Sequence, residues 1–267
     1  MVDLSIDGHP AYVHDGGVPW QAGRPAVAFL HGAGFDHTLW QQQSRALAHH
    51  GFNVAALDLP GHGHSADVPG IASVGDLADW VGDVLHAAGL VPAALVGHSM
   101  GACIAVELAA RRPKAVTAVA LVNTGLPMKV SAQLLHDTAE DQPRAVDFIT
   151  AYAHAKPTQL GRAPTPGNWI MGSAAALIFT TTPEVLHRDF AVCDAWDGAA
   201  AAARVRCPTV VVAGAGDRMT PLRVGKALAD AIPGARLEVL PGAGHMIPTE
   251  APRALLKLLR GFLGQGG

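Results

Sequence analysis

The sequence is poor in charged side chains, which make up only 15% of its 267 residues, against roughly 25% in an average soluble protein. The formal net charge is -3, and no cluster of lysine and arginine forms a stripe that could neutralise a run of phosphates. This composition argues against a nucleic-acid partner. Because 49% of the residues are hydrophobic, the chain predicts a folded protein with one large core.

Cysteine is also scarce, and the three that are present, Cys103, Cys193 and Cys207, lie far apart in the chain. An odd number of scattered cysteines is not typical of a disulfide framework, so we expect a reducing compartment, the cytoplasm. No run approaches about 18 uncharged apolar residues. The first residues carry Asp3 and Asp7 where a secretory signal has a basic start and an apolar run. We therefore expect neither secretion nor a membrane span.

Short apolar runs alternate with segments of helical length along most of the chain. Six short apolar runs without alternation have the character of fully buried parallel strands: 26–30, 54–58, 93–97, 117–123, 209–214 and 236–240. Helix-length segments occupy 38–50, 73–88, 100–112, 221–231 and 251–262. An Asp-Gly turn signal at Asp7 and Gly8 predicts an antiparallel hairpin before them. This alternation predicts an α/β protein in which helices cover both faces of a mostly parallel sheet.

The interval 126–204 interrupts this alternation. It contains helix-like pieces and a turn-rich stretch at 161–169, but no convincing buried strand. A gap of this length is too long for a structureless loop inside a compact fold. We interpret it as an inserted helical cap, or lid, and assign residues 1–125 and 205–267 to the α/β core.

The strongest functional signal is the segment GHSMG at 97–101, which lies between a predicted strand and an alanine-rich predicted helix. In that context the serine of a G-x-S-x-G motif lies in a tight strand-to-helix turn, whose backbone strain costs about 1 to 3 kcal/mol. Gly97 and Gly101 avoid collisions within this turn. The pattern indicates Ser99 as a nucleophile, whereas without the flanking strand and helix the same letters are typical of a glycine-flanked loop.

A serine hydroxyl is a weak nucleophile and needs a base that a third group orients. Asp217 and His245 both come just after predicted strands, in the chain order Ser, Asp, His that is typical of such a triad. We predict His245 as the base and Asp217 as the orienting acid. The structural alternatives are a helix N-cap for the aspartate and a loop position for the histidine. Asp194 and Asp197 are rival acids, but they fall in the inserted segment.

The segment HGAG at 31–34 follows the first long buried strand. An acyl-transfer site needs two preorganised N–H donors for the oxyanion, one after the nucleophile and one from this upstream loop. We assign the N–H groups of Met100 and Ala33, with Gly34 as the alternative to Ala33. A phosphate-binding loop is the weaker interpretation, because neither G-x-G-x-x-G nor a Walker lysine pattern is present.

His31, His62 and His64 suggest a metal site, because imidazole is a common metal ligand. No carboxylate or cysteine stands at a supporting spacing, and turn residues account for the stretch 58–65 without a metal. We therefore predict no metal and no cofactor.

Five segments together resemble the α/β-hydrolase superfamily over essentially the whole chain: HGAG (31–34), DLPGHGHS (58–65), GHSMG (97–101), GAGD (214–217) and GAGH (242–245). The resemblance implies the α/β-hydrolase fold, a mostly parallel eight-stranded sheet with helices on both faces and an inserted helical cap. It also implies a serine hydrolase that works through an acyl-enzyme intermediate. These segments are specific for fold and triad, and far less specific for the substrate.

Three departures narrow the resemblance. Ser99 argues against relatives similar to haloalkane dehalogenases and epoxide hydrolases, which use a carboxylate nucleophile. Met246 stands where relatives that cleave carbon-carbon bonds commonly have tryptophan, which weakens that alternative and leaves it open. Asn123 ends its predicted strand where some members place the acid, so Asp217 is the better candidate.

The cap is expected to lie above Ser99 and to help form a substrate pocket. The candidate pocket residues are His31, Gly32, Gly34, Met128, Phe148, Trp169, Met171, Leu177, Phe179 and Met246. Apolar residues at helical spacing are also typical of plain core packing. Lys129, Lys156 and Arg162 are candidates to bind a carboxylate, or else solvated surface charges.

These features predict an esterase for a small to medium, largely apolar carboxylic ester, with a lactone or thioester as close alternatives. The expected partner is a small-molecule substrate, and the sequence predicts no oligomeric state. A ligand-binding or receptor-like protein with little turnover is the competing class, because a fold and even an intact triad do not dictate rates.

Overall fold

The computed structural model describes residues 2–162 and 168–264. Within these ranges the strands are β1 (Val2–Ile6), β2 (His9–His14), β3 (Ala26–Leu30), β4 (Asn53–Leu57), β5 (Ala93–His98), β6 (Val116–Val122), β7 (Thr209–Gly214) and β8 (Arg236–Leu240). They form one sheet in the order β1-β2-β4-β3-β5-β6-β7-β8. Strand β2 runs antiparallel to β1 and β4, and the pairs from β4 to β8 are parallel. The predicted hairpin and mostly parallel eight-stranded sheet are confirmed.

The helices of the described ranges are α1 (Gln41–His49), α2 (Val74–Ala87), α3 (Met100–Arg111), α4 (Ala132–Glu140), α5 (Gln142–Ala153), α6 (Lys156–Gln159), α7 (Ile170–Ile178), α8 (Pro183–Ala195), α9 (Ala199–Ala202), α10 (Leu222–Ala231), α11 (Ile247–Glu250) and α12 (Pro252–Leu263). Short 3-10 turns span His37–Trp40 and Pro113–Ala115. Helix α1 packs against α12, and α2 packs against α3. Helix α3 contacts the central strands β5 and β6, and α10 contacts β7 and β8 at one edge of the sheet. None of these helices combines the length and apolar character needed to cross a bilayer.

Two of the predicted elements differ from the structure. The segment predicted as one helix at 38–50 begins as a 3-10 turn, because the Asp36 side chain accepts a hydrogen bond from the Thr38 N–H and caps the chain there. Strand β8, predicted as fully buried, is largely exposed, with Val239 exposed by 39%. It is the last strand of the sheet and pairs only with β7, so one side of it has no neighbour.

Helices α4 to α9 all lie between β6 and β7 in the chain. We call residues 126–204 the cap segment; its described residues contain no strand. The turn-rich stretch predicted at 161–169 falls largely on residues 163–167, which lie outside the described ranges.

The parallel strands bring several loops to one edge of the sheet. Strands β3, β5 and β7 are buried almost throughout, because neighbouring strands and helices cover both of their faces. Their carboxyl ends lead directly into the segments 31–34, 97–101 and 214–217. Ligands of open parallel sheets bind at this edge, and the fold therefore places the conspicuous sequence motifs where a site is expected.

Candidate active site

Ser99 occupies the turn between strand β5 and helix α3. Its backbone has a positive φ of 53°, a conformation that is unfavourable for a residue with a side chain. Its N–H donates to the carbonyl of Val122 on the neighbouring strand, at 2.9 Å, which holds the strained residue in place. The strained strand-to-helix turn predicted from the sequence is present.

The glycines on either side of Ser99 are required by close backbone contacts. A Cβ atom added to Gly97 would collide with the carbonyl of Gly101, and one added to Gly101 would collide with the carbonyl of Leu30. Both obstacles are backbone atoms, which cannot rotate away. The loop 31–34 and the start of α3 therefore approach each other as closely as the chain permits.

Asp217 and His245 meet across 28 positions of the chain. His245 Nδ1 lies 2.8 Å from Asp217 Oδ2, and both side chains are almost completely buried. Asp217 Oδ1 accepts the N–H groups of Met219 and Thr220, at 2.8 and 2.9 Å. Because the carboxylate is an acceptor, Nδ1 of His245 carries the proton, and Nε2 is left with a free lone pair.

Further donors surround the same carboxylate. Asn123 donates its amide to Asp217 Oδ2 at 2.5 Å and to the carbonyl of Gly244 at 3.1 Å, and the Thr220 hydroxyl donates to Oδ2 at 2.7 Å. Burial by itself raises the pKa of Asp217, but the adjacent His245 ring and these hydrogen bonds outweigh it and lower the pKa to about 2. The sequence interpretation did not foresee this role for Asn123, whose position at the end of β6 was the available signal.

His98, next to Ser99 in sequence, makes a hydrogen bond to the backbone of His245. Its Nε2 lies 2.8 Å from the carbonyl oxygen of His245 and donates to it. Burial and the nearby His245 ring lower the pKa of His98 to about 3, so the ring is neutral at neutral pH. Its Nδ1 faces Gly32, where a Cβ atom would lie only 2.9 Å away.

The loop that carries His245 is also bound to the cap segment. The N–H of His245 donates to the carbonyl of Ala153 at 2.7 Å. The buried Glu250 carboxylate accepts the N–H groups of Gly244 and Ala155 at 2.7 and 2.8 Å, and the Thr158 hydroxyl at 2.7 Å. The Glu250 carboxylate therefore connects the loop that carries His245 with residues 155 and 158 of the cap segment.

Ser99 and His245 line the same cavity, which has a volume of about 290 Å³. The Ser99 hydroxyl makes no hydrogen bond that the structure records within residues 2–162 and 168–264. In free enzymes, catalytic hydrogen bonds are often long and tighten only when substrate binds. The structure thus brings together the predicted nucleophile, base and acid at one edge of the sheet.

Of the two predicted oxyanion donors, one lines this cavity and the other follows Ser99 directly in the chain. Ala33 lines it directly, and Met100 is the first residue of α3, where N–H groups have no acceptor within the helix. The N–H of Gly34, the alternative to Ala33, donates instead to Asp189 Oδ2 of the cap segment at 3.0 Å. The Gly34 carbonyl is held as well, by the hydroxyl of Thr181 at 3.3 Å.

Asp189 also forms a buried pair with His62. Nε2 of His62 lies 2.9 Å from Asp189 Oδ2, and its Nδ1 lies 3.1 Å from the carbonyl of Pro60. Both neighbours are acceptors, an arrangement that favours the charged ring, in which both nitrogens donate. Burial lowers the pKa of His62, but the attraction of Asp189 outweighs it and raises the pKa. This pair connects α8 with the loop 58–65.

The cavity differs in part from the predicted pocket. Met128 and Phe148 line it as predicted, together with Leu134, Tyr152 and Phe190. Of the other predicted pocket residues, Leu177 and Met246 line a separate groove of about 570 Å³. The residues that line neither space are His31, Gly32, Gly34, Trp169, Met171 and Phe179.

These differences have simple physical reasons. His31 is fully buried, with Nδ1 donating to the Gly32 carbonyl at 2.8 Å and Nε2 accepting the Leu59 N–H at 3.0 Å. Trp169 and Phe179 turn toward solvent and are exposed by 77% and 50%. The direction of a cap side chain depends on tertiary packing, which sequence periodicity does not specify.

Two cations line the cavity beside the apolar residues. Lys129, one of the predicted carboxylate ligands, is among the lining residues, whereas Lys156 and Arg162 are not. Arg218 also lines the cavity and was missed by the sequence interpretation. Its position directly after Asp217 was the available signal.

One group of side chains in the described ranges has a spacing that suits a metal ion: Asp36, His37 and Asp58. The predicted alternative of His31, His62 and His64 does not form such a group. Hydrogen bonds within the protein account for the observed group. Asp58 Oδ1 accepts both the N–H and the Nδ1–H of His37, at 2.8 and 2.7 Å, and Asp36 accepts the Thr38 N–H at 2.8 Å.

Residues 25–252 match the family model of the alpha/beta hydrolase fold. The chain therefore belongs to this family, and the resemblance inferred from its motifs is confirmed.

Individual relatives carry several hydrolase names. The chain is 31% identical over 233 residues to a pimeloyl-[acyl-carrier protein] methyl ester esterase of Chromobacterium violaceum, covering 83% of this chain and 87% of the relative. It is 30% identical over 236 residues to RutD of Klebsiella pneumoniae, a carbamate hydrolase candidate by name, covering 85% and 86%. A solved structure described as Est816, an N-acyl homoserine lactone degrading enzyme, is 26% identical with a TM-score of 0.86, covering 98% of this chain and 100% of that one.

Proposed function

We propose that this protein is a serine hydrolase of small carboxylic esters, with Ser99 as nucleophile, His245 as general base and Asp217 as orienting acid. The observation that carries the proposal is the buried contact of 2.8 Å between His245 Nδ1 and Asp217 Oδ2, at a cavity that Ser99 also lines. The contact leaves Nε2 of His245 as the free basic nitrogen. No other acid of the described residues stands in this relation to His245, and Asp194 instead accepts the Val130 N–H at 3.0 Å.

In the proposed acylation step the Ser99 oxygen attacks the ester carbonyl carbon, and its proton passes to Nε2 of His245. The N–H groups of Ala33 and Met100 donate to the resulting oxyanion. When the tetrahedral intermediate collapses, the bond to the alcohol oxygen breaks, and the alcohol leaves with the proton from His245. The positive charge that His245 carries meanwhile is stabilised by Asp217.

Deacylation repeats these transfers with water. His245 takes a proton from the water molecule, the hydroxide oxygen attacks the acyl carbon, and the bond to Ser99 breaks as the proton returns to the serine oxygen. The products are a carboxylic acid and the free enzyme. Each step uses only residues of this chain, the ester and water.

The cavity supports a small, largely apolar substrate. Its volume of about 290 Å³ lies at the lower end of ligand sites, which span roughly 300 to 1,000 Å³, and its walls include Met128, Leu134 and Phe190. The named relatives act on a methyl ester and a lactone, so a lactone is the nearest alternative among the substrates. A thioester would follow the same two steps.

Labelling with a fluorophosphonate probe, combined with a series of p-nitrophenyl acetate, butyrate, hexanoate and octanoate, tests this function. We expect stoichiometric labelling of the wild-type protein, hydrolysis that is fastest for one of the shorter esters, and loss of both in Ser99→Ala. Full turnover by Ser99→Ala would remove the assignment of the nucleophile. Labelling without turnover of any ester, lactone or thioester would instead favour the receptor-like alternative.

A further inference from the structure

The cavity around Ser99 has an uneven charge distribution. Two cationic side chains, Lys129 and Arg218, are among its lining residues, and none of the described lining residues is an aspartate or glutamate. The nearest acid in sequence, Asp217, directs its carboxylate to His245, Thr220 and Asn123 and is not available to balance them. A small apolar cavity with positive charge on one side is suited to a substrate that has an anionic group.

Arg218 is held in place by an aromatic stack. Its guanidinium carbon lies 4.5 Å from the centre of the Tyr152 ring, and that ring stacks on Phe148 with a centroid distance of 4.3 Å and an interplanar angle of 13°. One guanidinium nitrogen donates to the carbonyl of Ala151. The side chain therefore loses little further freedom when a ligand binds.

The charge of Arg218 has no counterion within residues 2–162 and 168–264, where the structure records no ion pair for it. A guanidinium offers five N–H donors in a planar fork that matches a carboxylate. The Ala151 carbonyl uses one of its nitrogens, so further donors are available. Arg218 itself is exposed, whereas Phe148 and Phe190 line the same cavity. An anion bound in this cavity would be partly removed from water, which strengthens its attraction to Arg218.

Lys129 is less available than Arg218. Its Nζ donates to the Asp194 carbonyl oxygen at 2.6 Å and lies 3.8 Å from the Asp194 carboxylate. The carboxylate balances part of its charge. Lys129 therefore adds to the positive potential of the cavity, and Arg218 is the better direct ligand.

We infer that the preferred substrate is a small ester or lactone with a carboxylate elsewhere in the molecule, and that Arg218 binds this carboxylate while Ser99 attacks the acyl carbon. The inference rests on the proposed function and narrows its substrate class. In this role Arg218 determines specificity and takes no part in bond breaking.

The test compares two esters of equal chain length, p-nitrophenyl hexanoate and mono-p-nitrophenyl adipate, which differ by a terminal carboxylate. We expect the wild-type protein to favour the adipate ester by at least about tenfold in kcat/KM. Arg218→Gln is expected to remove this preference by raising KM for the adipate ester about tenfold, with less than about a twofold change for the hexanoate ester. Arg218→Lys should retain part of the preference, because it keeps the charge and loses the planar fork.

Arg206→Gln is the matched control, because Arg206 also donates to backbone carbonyls, those of Ala203 and Val205, and lies outside the cavity lining. It is expected to leave both esters unchanged. Equal hydrolysis of the two esters by the wild type would overturn the inference and leave the proposed function standing. An equal loss of kcat/KM for both esters in Arg218→Gln would also overturn the inference, because it would indicate a structural role for Arg218. Hydrolysis of neither ester by the wild type would contradict the proposed function itself.

Discussion

The loops at the carboxyl edge of the sheet and the cap segment contribute to the same cavity in different ways. At the sheet edge, Asp217 and His245 are buried and their positions are fixed by several short hydrogen bonds. The cap segment supplies apolar walls, such as the buried Leu134 and Phe190, and also more exposed side chains, such as Tyr152 with 41% exposure and Lys129 with 64% of its side chain exposed. The comparison indicates that the sheet supplies the groups that need exact placement, and that the cap segment supplies groups that can change with the substrate.

The largest expected effect is at the sheet edge. Asp217→Asn places an amide where His245 Nδ1 needs an acceptor, which favours the wrong tautomer, so we expect kcat for p-nitrophenyl butyrate to fall about 10⁴-fold. Asp197→Asn is the control, because Asp197 is an exposed residue of the cap segment that caps the Ala199 N–H. It should change kcat less than about twofold. A loss within tenfold for Asp217→Asn would show that a different acid orients the base.

The next largest effect tests the contact between the two regions. Asp189→Ala removes the acceptor of the Gly34 N–H and the partner of the buried His62. We expect a loss of about 3 to 5 kcal/mol in the free energy of unfolding, measured by urea denaturation. The folded fraction should show a kcat about tenfold lower, because the loop 31–34 that carries the proposed oxyanion donor Ala33, here called the oxyanion loop, loses its anchor.

Thr182→Ala on the same helix is the control for Asp189→Ala. Thr182 caps the N-terminus of α8 through the Val185 N–H, at 3.4 Å, and has no hydrogen bond to the oxyanion loop. It should cost about 1 kcal/mol of stability and leave kcat unchanged. If Asp189→Ala behaved in the same way, the cap segment would have no influence on the oxyanion loop.

A third effect concerns pH and the buried histidines of the sheet edge. Burial and neighbouring rings lower the pKa of His98 to about 3 and that of His31 to about 4, below the value of 6.5 in the unfolded chain. Between these values the unfolded chain binds more protons than the folded protein, so the stability that His98 and His31 contribute is fully present above pH 6.5 and is lost as the pH falls. Each histidine contributes a slope of up to about 1.4 kcal/mol per pH unit.

Urea denaturation over a series of pH values below 6.5 measures this slope, and His98→Gln should reduce it by the share of one histidine. His62 and Asp217 also make stability depend on pH, but their contributions change in other pH ranges. The contribution of His62 is present below pH 6.5 and is lost as the pH rises through its raised pKa. That of Asp217 is lost only as the pH falls from 3.8 toward about 2. An unchanged slope in His98→Gln would mean that His98 is protonated in the folded protein.

The smallest effect is expected on the outside of the cap segment. Trp169 is exposed by 77% and does not line the cavity, so Trp169→Ala should change KM for any ester of the series less than about twofold. Phe190→Ala is the comparison, because Phe190 is buried and lines the cavity, and it should raise KM for the longer esters. An equal rise in both variants would show that Trp169 folds onto the cavity when substrate binds.

Local sequence patterns predicted the core well. The strands at 26–30 and 209–214 match the observed bounds of β3 and β7, because each is a short apolar run that turn residues delimit. The bounds of β8 at 236–240 match as well, although this strand is largely exposed. The site loops follow from the same reasoning, since the carboxyl ends of parallel strands meet at one edge. The observed turn at Ser99 also agrees, because backbone contacts at Gly97 and Gly101 admit only glycine.

Contacts between distant residues could not be predicted from such patterns. Gly34 and Asp189 are 155 positions apart, and Asn123 and Asp217 are 94 apart, so no local motif connects either pair. The cap segment is harder still, because its helices have several partly apolar faces and their packing decides which one meets the cavity. The exposure of Trp169 was missed for this reason. Arg218 lies in the core, directly after Asp217, and its place in the cavity lining depends on contacts with Ala151 and Tyr152, which are distant in the chain.

Glu250 connects the cap segment with the core. It accepts four hydrogen bonds, from Gly244 and Met246 of the core and from Ala155 and Thr158 of the cap segment. A rigid-body movement of the cap segment away from the core would have to break the hydrogen bonds from Ala155 and Thr158 to Glu250. It would also displace the loop that carries His245, because Glu250 binds the N–H groups of Gly244 and Met246. We therefore expect substrate to enter while residues 155 and 158 of the cap segment remain bound to Glu250. Breaking the hydrogen bond between Glu250 and the Ala155 N–H would therefore also disturb the position of His245 and lower the activity.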